Sequence, residues 1–153
     1  MSVRVQEAPF DIGAEIDRIR AGDARIGAIA TFVGTVRDVN DAASVSSMVL
    51  EHYPGMTERA LEAIVDDAKS RWAILDARVV HRIGPLAPTD AIVLVAVASA
   101  HRHDAFAACE FIMDYLKTRA PFWKKERTPA GERWVDAHRS DEDAAARWST
   151  APD

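Results

Sequence analysis

AIVLVAVASAHRHDAFAACEFIMDYLKTRAPFWKKER, residues 91–127, contains three patterns in succession. Residues 91–99 form an unbroken apolar run rich in β-branched side chains, the composition of a strand buried on both faces. From about 103 to 119, Phe106, Cys109, Met113 and Leu116 recur at helical spacing. Pro121 pushes Ala120 out of helical backbone, so the helix ends there. FWKKER then reads as a short strand turning back past the helix end, joined across TPAG to a second one at ERWVD.

The same two periods recur upstream. Residues 2–7 read as an edge strand. A helix follows, with Asp11 as N-cap, Ile12, Ile16 and Ile19 in register, and Gly22 as its stop. Residues 25–37 are apolar on both faces and read as a central strand. Gly27 and Gly34 would weaken that strand unless something packs close to the backbone. DVNDAAS is a loop and 45–53 a further strand. Tyr53-Pro54-Gly55-Met56 has the residues of a type II turn. Residues 57–72 read as a helix capped by Thr57, with a stripe of Leu61, Ile64, Val65, Ala68 and Trp72. Residues 74–83 are a strand and GPLAPTD a turn. Strands joined by short turns favour antiparallel pairing. The fold class is therefore α+β, with helices packed on a mixed or antiparallel sheet.

The chain has 153 residues, 48% of them hydrophobic and 28% charged, with a formal net charge of −5. This is the balance of one soluble globular domain. We place that domain at residues 1–139. The Ala- and charge-rich tail, 140–153, reads as a frayed helix or a disordered segment. The negative charge argues against a general nucleic-acid binder. The apolar run at 91–100 is about half of what a membrane helix needs. The N-terminus lacks the apolar core of a signal peptide. The single Cys109 gives no sign of an oxidising compartment. The expected location is cytoplasmic, with no membrane and no nucleic-acid partner.

Against this acidic background, residues 116–127 carry Lys117, Arg119, Lys124, Lys125 and Arg127, opposed only by Glu126. Lys117 lies on the last turn of a helix, where a cation also suits the helix dipole. Lys124 and Lys125 point to opposite faces of a strand, so only one can face Lys117. Two ammonium groups brought together depress each other's pKa, which makes a lysine usable as a nucleophile or acid/base near neutral pH. SAHRHDAF, 99–106, runs from a strand end to a helix start, where free N–H groups, His101 and Arg102 suit an anion. Arg37 closes a strand and gains weight if it lies near that turn. No metal is expected: neither a further cysteine nor a helical His pair supports His101 and His103. Cys109 shares a helix face with Phe106, Met113 and Leu116 and reads as a buried thiol. From the residues alone, a functional cationic pocket and a solvated basic face both stand. A pocket would suit a phosphorylated or carboxylate-bearing ligand.

TFVGTVRD (31–38), LEHYPGM (50–56), HRIGPL (81–86), ASAHRHDAF (98–106) and CEFIMDYLKTRAPFWKKE (109–126) occur in this order. Together they resemble the catalytic (large) subunits of molybdopterin synthase, over about residues 3–137. The resemblance implies an α/β-hammerhead-like fold with a small antiparallel β subdomain. It implies a sulfur transferase of molybdenum cofactor biosynthesis, converting cyclic pyranopterin monophosphate to molybdopterin. The implied sulfur donor is the C-terminal Gly-Gly thiocarboxylate of a small ubiquitin-like subunit. The implied assembly is a homodimer of large subunits within a heterotetramer, without a bound cofactor. Carried over by motif, Lys117 and Lys124 are the catalytic residues. Thr35, Val36, Arg37, His101, Arg102, Lys124, Lys125 and Glu126 bind substrate, and Phe32 and Met113 line the pocket. The family's closing Trp-Val-x-Ala-Arg departs here to Trp134-Val135-Asp136-Ala137-His138-Arg139. Whether His138 or Arg139 replaces an arginine that reaches a neighbouring subunit stays open. Two other readings remain: a non-catalytic module for a phosphorylated metabolite or a partner's acidic tail, and a single-strand binder stacking bases on Phe122 and Trp123.

Overall fold

Val93, Val95 and Val97 turn to one side of their strand, and Ala96 and Ala98 to the other. Both sides are buried, which is why residues 91–99 are apolar without alternation. The computed structural model describes residues 2–40, 43–135 and 139–149. In chain order the elements are β1 (Val3–Gln6), α1 (Ile12–Arg20), β2 (Ala28–Thr35), β3 (Val39–Asn40), β4 (Ala43–Ser44), β5 (Ser47–His52) and α2 (Met56–Arg71). They continue as β6 (Asp76–Arg82), β7 (Gly84–Leu86), β8 (Ala91–Ser99), α3 (Arg102–Arg119), β9 (Phe122–Thr128), β10 (Gly131–Val135) and α4 (Arg139–Ala146).

The first sheet has the order β1-β6-β8-β2, with β1 parallel to β6 and the other pairs antiparallel. Helices α2 and α3 cover one face, where Leu61, Ile64, Val65, Phe111 and Ile112 meet the odd residues of β8. Ile19 of α1 covers the other face with Ala96 and Ala98. The second sheet, β10-β9-β5-β7, is wholly antiparallel. Its inner face buries Met48, Leu50 and Leu86. Phe122 packs against both this cluster and the main core, so the two sheets meet at the start of β9. The expected α+β class is what the chain forms.

Four local expectations are corrected. β2 is not central but an edge strand. Its two apolar faces arise because helices lie on both sides of the sheet, and cover from above and below does not fix lateral position. Part of the loop expected after β2 is the small β3–β4 hairpin. Gly84-Pro85-Leu86 is a strand paired with β5 rather than only a turn. Thr57 does not cap α2; Gly55 is the N-cap, and Glu58 accepts from its N–H. Thr57 lies one step inside the helix. Its buried hydroxyl accepts from the Tyr53 N–H and donates to the Pro121 carbonyl, both at 2.9 Å.

Other local signals are realised directly. Asp11 caps α1 by accepting from the Ala14 N–H. The backbone approach demanded by two glycines is present: a Cβ on Gly27 would lie 2.3 Å from the Ala100 carbonyl oxygen, and one on Gly34 2.9 Å from a Val93 methyl. The tail from Arg139 forms α4, whose Ala145, with the neighbouring Trp148, packs on the main core. Trp148 donates its indole N–H to Asp114 at 2.6 Å.

Thr89, before β8, holds φ at 78°, the left-handed region that β-branched residues avoid. Its N–H donates to the Val36 carbonyl at 2.8 Å, and the Val36 N–H donates to the Asp90 carbonyl at 2.9 Å. These bonds hold the turn against the end of β2. Thr89→Gly relieves strain of about 1–3 kcal/mol and loses about 0.4–1 kcal/mol through a freer unfolded chain. We expect a net gain of about 1 kcal/mol, read as a higher midpoint in chemical denaturation.

Candidate active site

Lys117 stands on the last turn of α3, and Pro121 then directs the chain into β9. β9 is held between β5 and β10, with Lys124 opposite Leu50 on one side and Val135 on the other. This pairing turns Lys124 inward, toward the end of α3. The two lysines line two adjoining cavities, of about 160 and 220 Å³, which also share Met48, Ile92 and Asp141. The smaller adds apolar walls from Leu50, Leu116 and Phe122, together with His81. The larger adds Thr35, Val36, Arg37, Asn40 and Glu126. They form one groove at the junction of the sheets, cationic in its lining and apolar in its walls.

Burial lowers the Lys117 pKa, the nearby charge of Lys124 lowers it further, and Asp141 partly opposes both. A lysine so placed gives up its proton more readily than one in water. Among the described residues, no carboxylate lies within ion-pair distance of either ammonium group.

The smaller cavity also holds a histidine to which the sequence reading gave no role. His81 on β6 is 5% exposed. Its ring stacks on Phe122, with centroids 3.9 Å apart and planes 17° from parallel. Nδ1 lies 2.7 Å from the Arg82 carbonyl oxygen, which can only accept, so Nδ1 carries the hydrogen. Burial drives its pKa from 6.5 to about 4, assisted by the charges of Lys117 and His52 and resisted by the bond to the carbonyl. The ring is neutral at pH 7.

The structure brings together Lys117, Lys124, Thr35, Val36, Arg37 and Glu126. Glu126 is already engaged, however. Asn40 donates to both of its carboxylate oxygens at 3.0 Å, and Arg133 donates to one at 3.2 Å and to the Asn40 carbonyl at 2.8 Å. Its carboxylate anchors the strand beside Lys124.

Other expected site residues lie elsewhere. Lys125 points outward, as strand alternation requires. It pairs with Glu132 at 2.8 Å and sits over the Trp134 ring. Met113 is packed in the main core. Phe32 lies on the edge strand β2, 41% exposed, outside the groove's lining. His101 and Arg102 stand at the opposite end of α3, about 22 Å from Lys117 along the helix axis. There they line a separate, more open cavity of about 750 Å³ with Gly27, His103 and Phe106. Within one chain, one ligand cannot touch both ends. His138 lies outside the described residues, as does the side chain of Arg139. Cys109 is a buried thiol, pushed up to about 11 mainly by burial, and is no nucleophile.

His81, Asn40 and Asp141 were not identified from sequence as parts of the site. His81 and Asn40 lie on strands in motifs or loops that carried no chemical signal of their own. Asp141 belongs to the tail. The alternation of Met48 and Leu50 in β5 could have marked them as groove walls.

A lysine pair with one depressed pKa, set in an apolar-walled groove of an α+β domain, is an arrangement suited to lysine chemistry on anionic ligands. The chain belongs to the MoaE protein family, whose sequence pattern matches residues 5–119. It is 65% identical over 152 residues to the molybdopterin synthase catalytic subunit of Ralstonia nicotianae, covering 99% of this chain and 86% of that one. The solved molybdopterin biosynthesis MoaE protein of Burkholderia ambifaria superposes with a TM-score of 0.84 at 57% identity, covering 97% of this chain and 98% of that one. The crystal structure of molybdopterin synthase from Staphylococcus aureus superposes with a TM-score of 0.81 at 32% identity, covering 89% and 98%.

The neutral state of His81 links stability to pH. Its folded pKa lies below its unfolded value, so the unfolded chain binds more protons between about pH 6.5 and 4. The contribution is complete above that window and lost as pH falls through it, by about 3 kcal/mol. Denaturation at pH 7 and pH 4 should show this loss in the wild type and a much smaller one in His81→Asn.

Proposed function

We propose that the groove is the active centre at which this chain, as the catalytic subunit of a molybdopterin synthase, transfers sulfur to cyclic pyranopterin monophosphate. The observation that carries the reading is the convergence of Lys117 and Lys124 in one apolar-walled, cationic groove. The donor is the C-terminal thiocarboxylate of a small ubiquitin-like partner. Both that tail and the cyclic phosphate are anions, and the groove gathers Lys117, Lys124 and Arg37 inside an acidic chain. The work takes place in the cytoplasm; among the described residues no helix is long and apolar enough to cross a membrane.

Lys117 is assigned to the thiocarboxylate carbonyl. There its ammonium stabilises negative charge on the carbonyl oxygen, or its free amine accepts the acyl carbon as the carbon–sulfur bond breaks. Lys124 holds the pterin intermediate or moves a proton. Arg37, in the same groove, is assigned to the phosphate. His101 and Arg102 can serve this substrate only from a second copy of the chain, which agrees with a homodimer. A purely binding role fits less well. A site built only to hold anions gains nothing from a buried lysine whose charged form is disfavoured.

The test is dithiolene formation by the purified chain with a thiocarboxylated small subunit and cyclic pyranopterin monophosphate. Lys117→Ala should lower turnover by ~100-fold or more while folding and dimerisation persist. With the free amine of Lys117 as the reacting form, wild-type activity should rise with pH at a point below the ordinary lysine range; with the ammonium as the reacting form it should fall there. Binding of both partners without product in the wild type would instead favour the non-catalytic module.

A further inference from the structure

The smaller cavity of the groove contains four polar side chains: His81, Lys117, Lys124 and Asp141. As ammonium groups the lysines only donate, and Asp141 is a carboxylate that offsets the charge of Lys117. His81 differs from all three. Because Nδ1–H is committed to the Arg82 carbonyl, Nε2 of the neutral ring has a bare lone pair. Among the described residues, nothing donates to it. With both lysines protonated, it is the one uncharged nitrogen or oxygen acceptor among the described side chains lining this cavity. The ring is held flat by Phe122, and Leu50, Ile92 and Leu116 complete apolar walls suited to a planar heterocycle.

A reduced pterin presents N–H donors at its amide, its exocyclic amine and its ring amines. The other acceptor in this cavity, Asp141, is set against Lys117, so those donors call for a second one. We propose that His81 reads the substrate's ring, its Nε2 accepting a hydrogen bond from a pterin N–H, and so acts as a specificity residue for the heterocycle. This rests on the functional reading above. A carboxylate such as Asp141 would also accept, but it repels the cyclic phosphate and already offsets the charge of Lys117. A neutral imidazole accepts without either effect, and its low basicity keeps it neutral beside two ammonium groups. Discrimination by a buried group of this kind is strong, because a ligand lacking the donor leaves the acceptor unpaired.

Two variants separate the ring nitrogens. His81→Asn keeps a donor near the Nδ1 position and loses the acceptor at Nε2. His81→Gln places an amide oxygen near Nε2. With the small subunit saturating, His81→Asn should raise KM for the pyranopterin by about tenfold, the loss expected for one hydrogen bond. It should change kcat little, and His81→Gln should recover most of the affinity. A fall in kcat with KM unchanged would mean that His81 positions Lys117 instead, and would overturn the proposal. So would a rise in KM for the small subunit alone, because the donor would then be a peptide N–H of the partner's tail. Equal losses in both variants would also count against it.

A measurement on the unmodified protein guards against variants that fail to fold. In histidine-labelled wild type, the 15N resonance of His81 Nε2 should stand at the unprotonated position. It should move upfield on saturation with cyclic pyranopterin monophosphate, and an unmoved resonance overturns the proposal. Failure of the transferase reading is distinguishable, since it removes wild-type turnover while this binding shift can still be recorded.

Discussion

The hydroxyl of Thr57 ties the turn between β5 and α2 to the corner between α3 and β9, 64 residues further along the chain. It accepts from the Tyr53 N–H at the end of β5 and donates to the Pro121 carbonyl where α3 gives way to β9. It belongs to the first turn of α2 and is wholly buried. A buried hydroxyl with both functions satisfied in fixed directions is a rigid joint. Lys117 precedes that joint and Lys124 follows it. Their meeting in one groove depends on the angle at which the chain leaves Pro121, and that angle is set from the side by α2.

Much of the architecture was legible in the sequence, because its causes are local. The apolar run of β8, the helical stripe of α2, the Asp11 cap and the stop at Pro121 each reflect a period or a steric rule acting over a few residues. The misreadings concern properties that no local pattern encodes. Two apolar faces suggest a central β2, but helices above and below the sheet produce the same pattern at an edge. Thr57 has the chemistry of a cap and is used as a tertiary hydrogen-bond partner. The site was legible in part. Cationic residues around Pro121 marked Lys117 and Lys124, and strand alternation separated Lys124 from Lys125. His101 and Arg102 were grouped with them by motif, and the length of α3 keeps them apart within one chain. His81 carried no mark: its role depends on which nitrogen is committed to a neighbouring carbonyl.

The electrostatics of the groove are a balance rather than an accumulation of positive charge. Two ammonium groups face the groove, and burial and mutual repulsion both favour loss of a proton from Lys117. Asp141 offsets part of this from the tail, and His81 adds a polar edge without adding charge. The acidic remainder of the chain leaves the groove as a local exception in the surface field. Such a contrast favours anionic ligands over other surfaces of the same protein.

The Asn40–Glu126–Arg133 network has a meaning beyond its own hydrogen bonds. Side chains on β9 alternate, so sliding the strand by one residue would present Trp123, Lys125 and Arg127 to the groove and expel Lys124. Every lysine would remain in the protein, yet the groove would present a different set of side chains. A buried carboxylate fastened from two other strands fits only one of these settings. Glu126 thus works as an indexing pin: it selects which of two adjacent, chemically identical residues faces the groove.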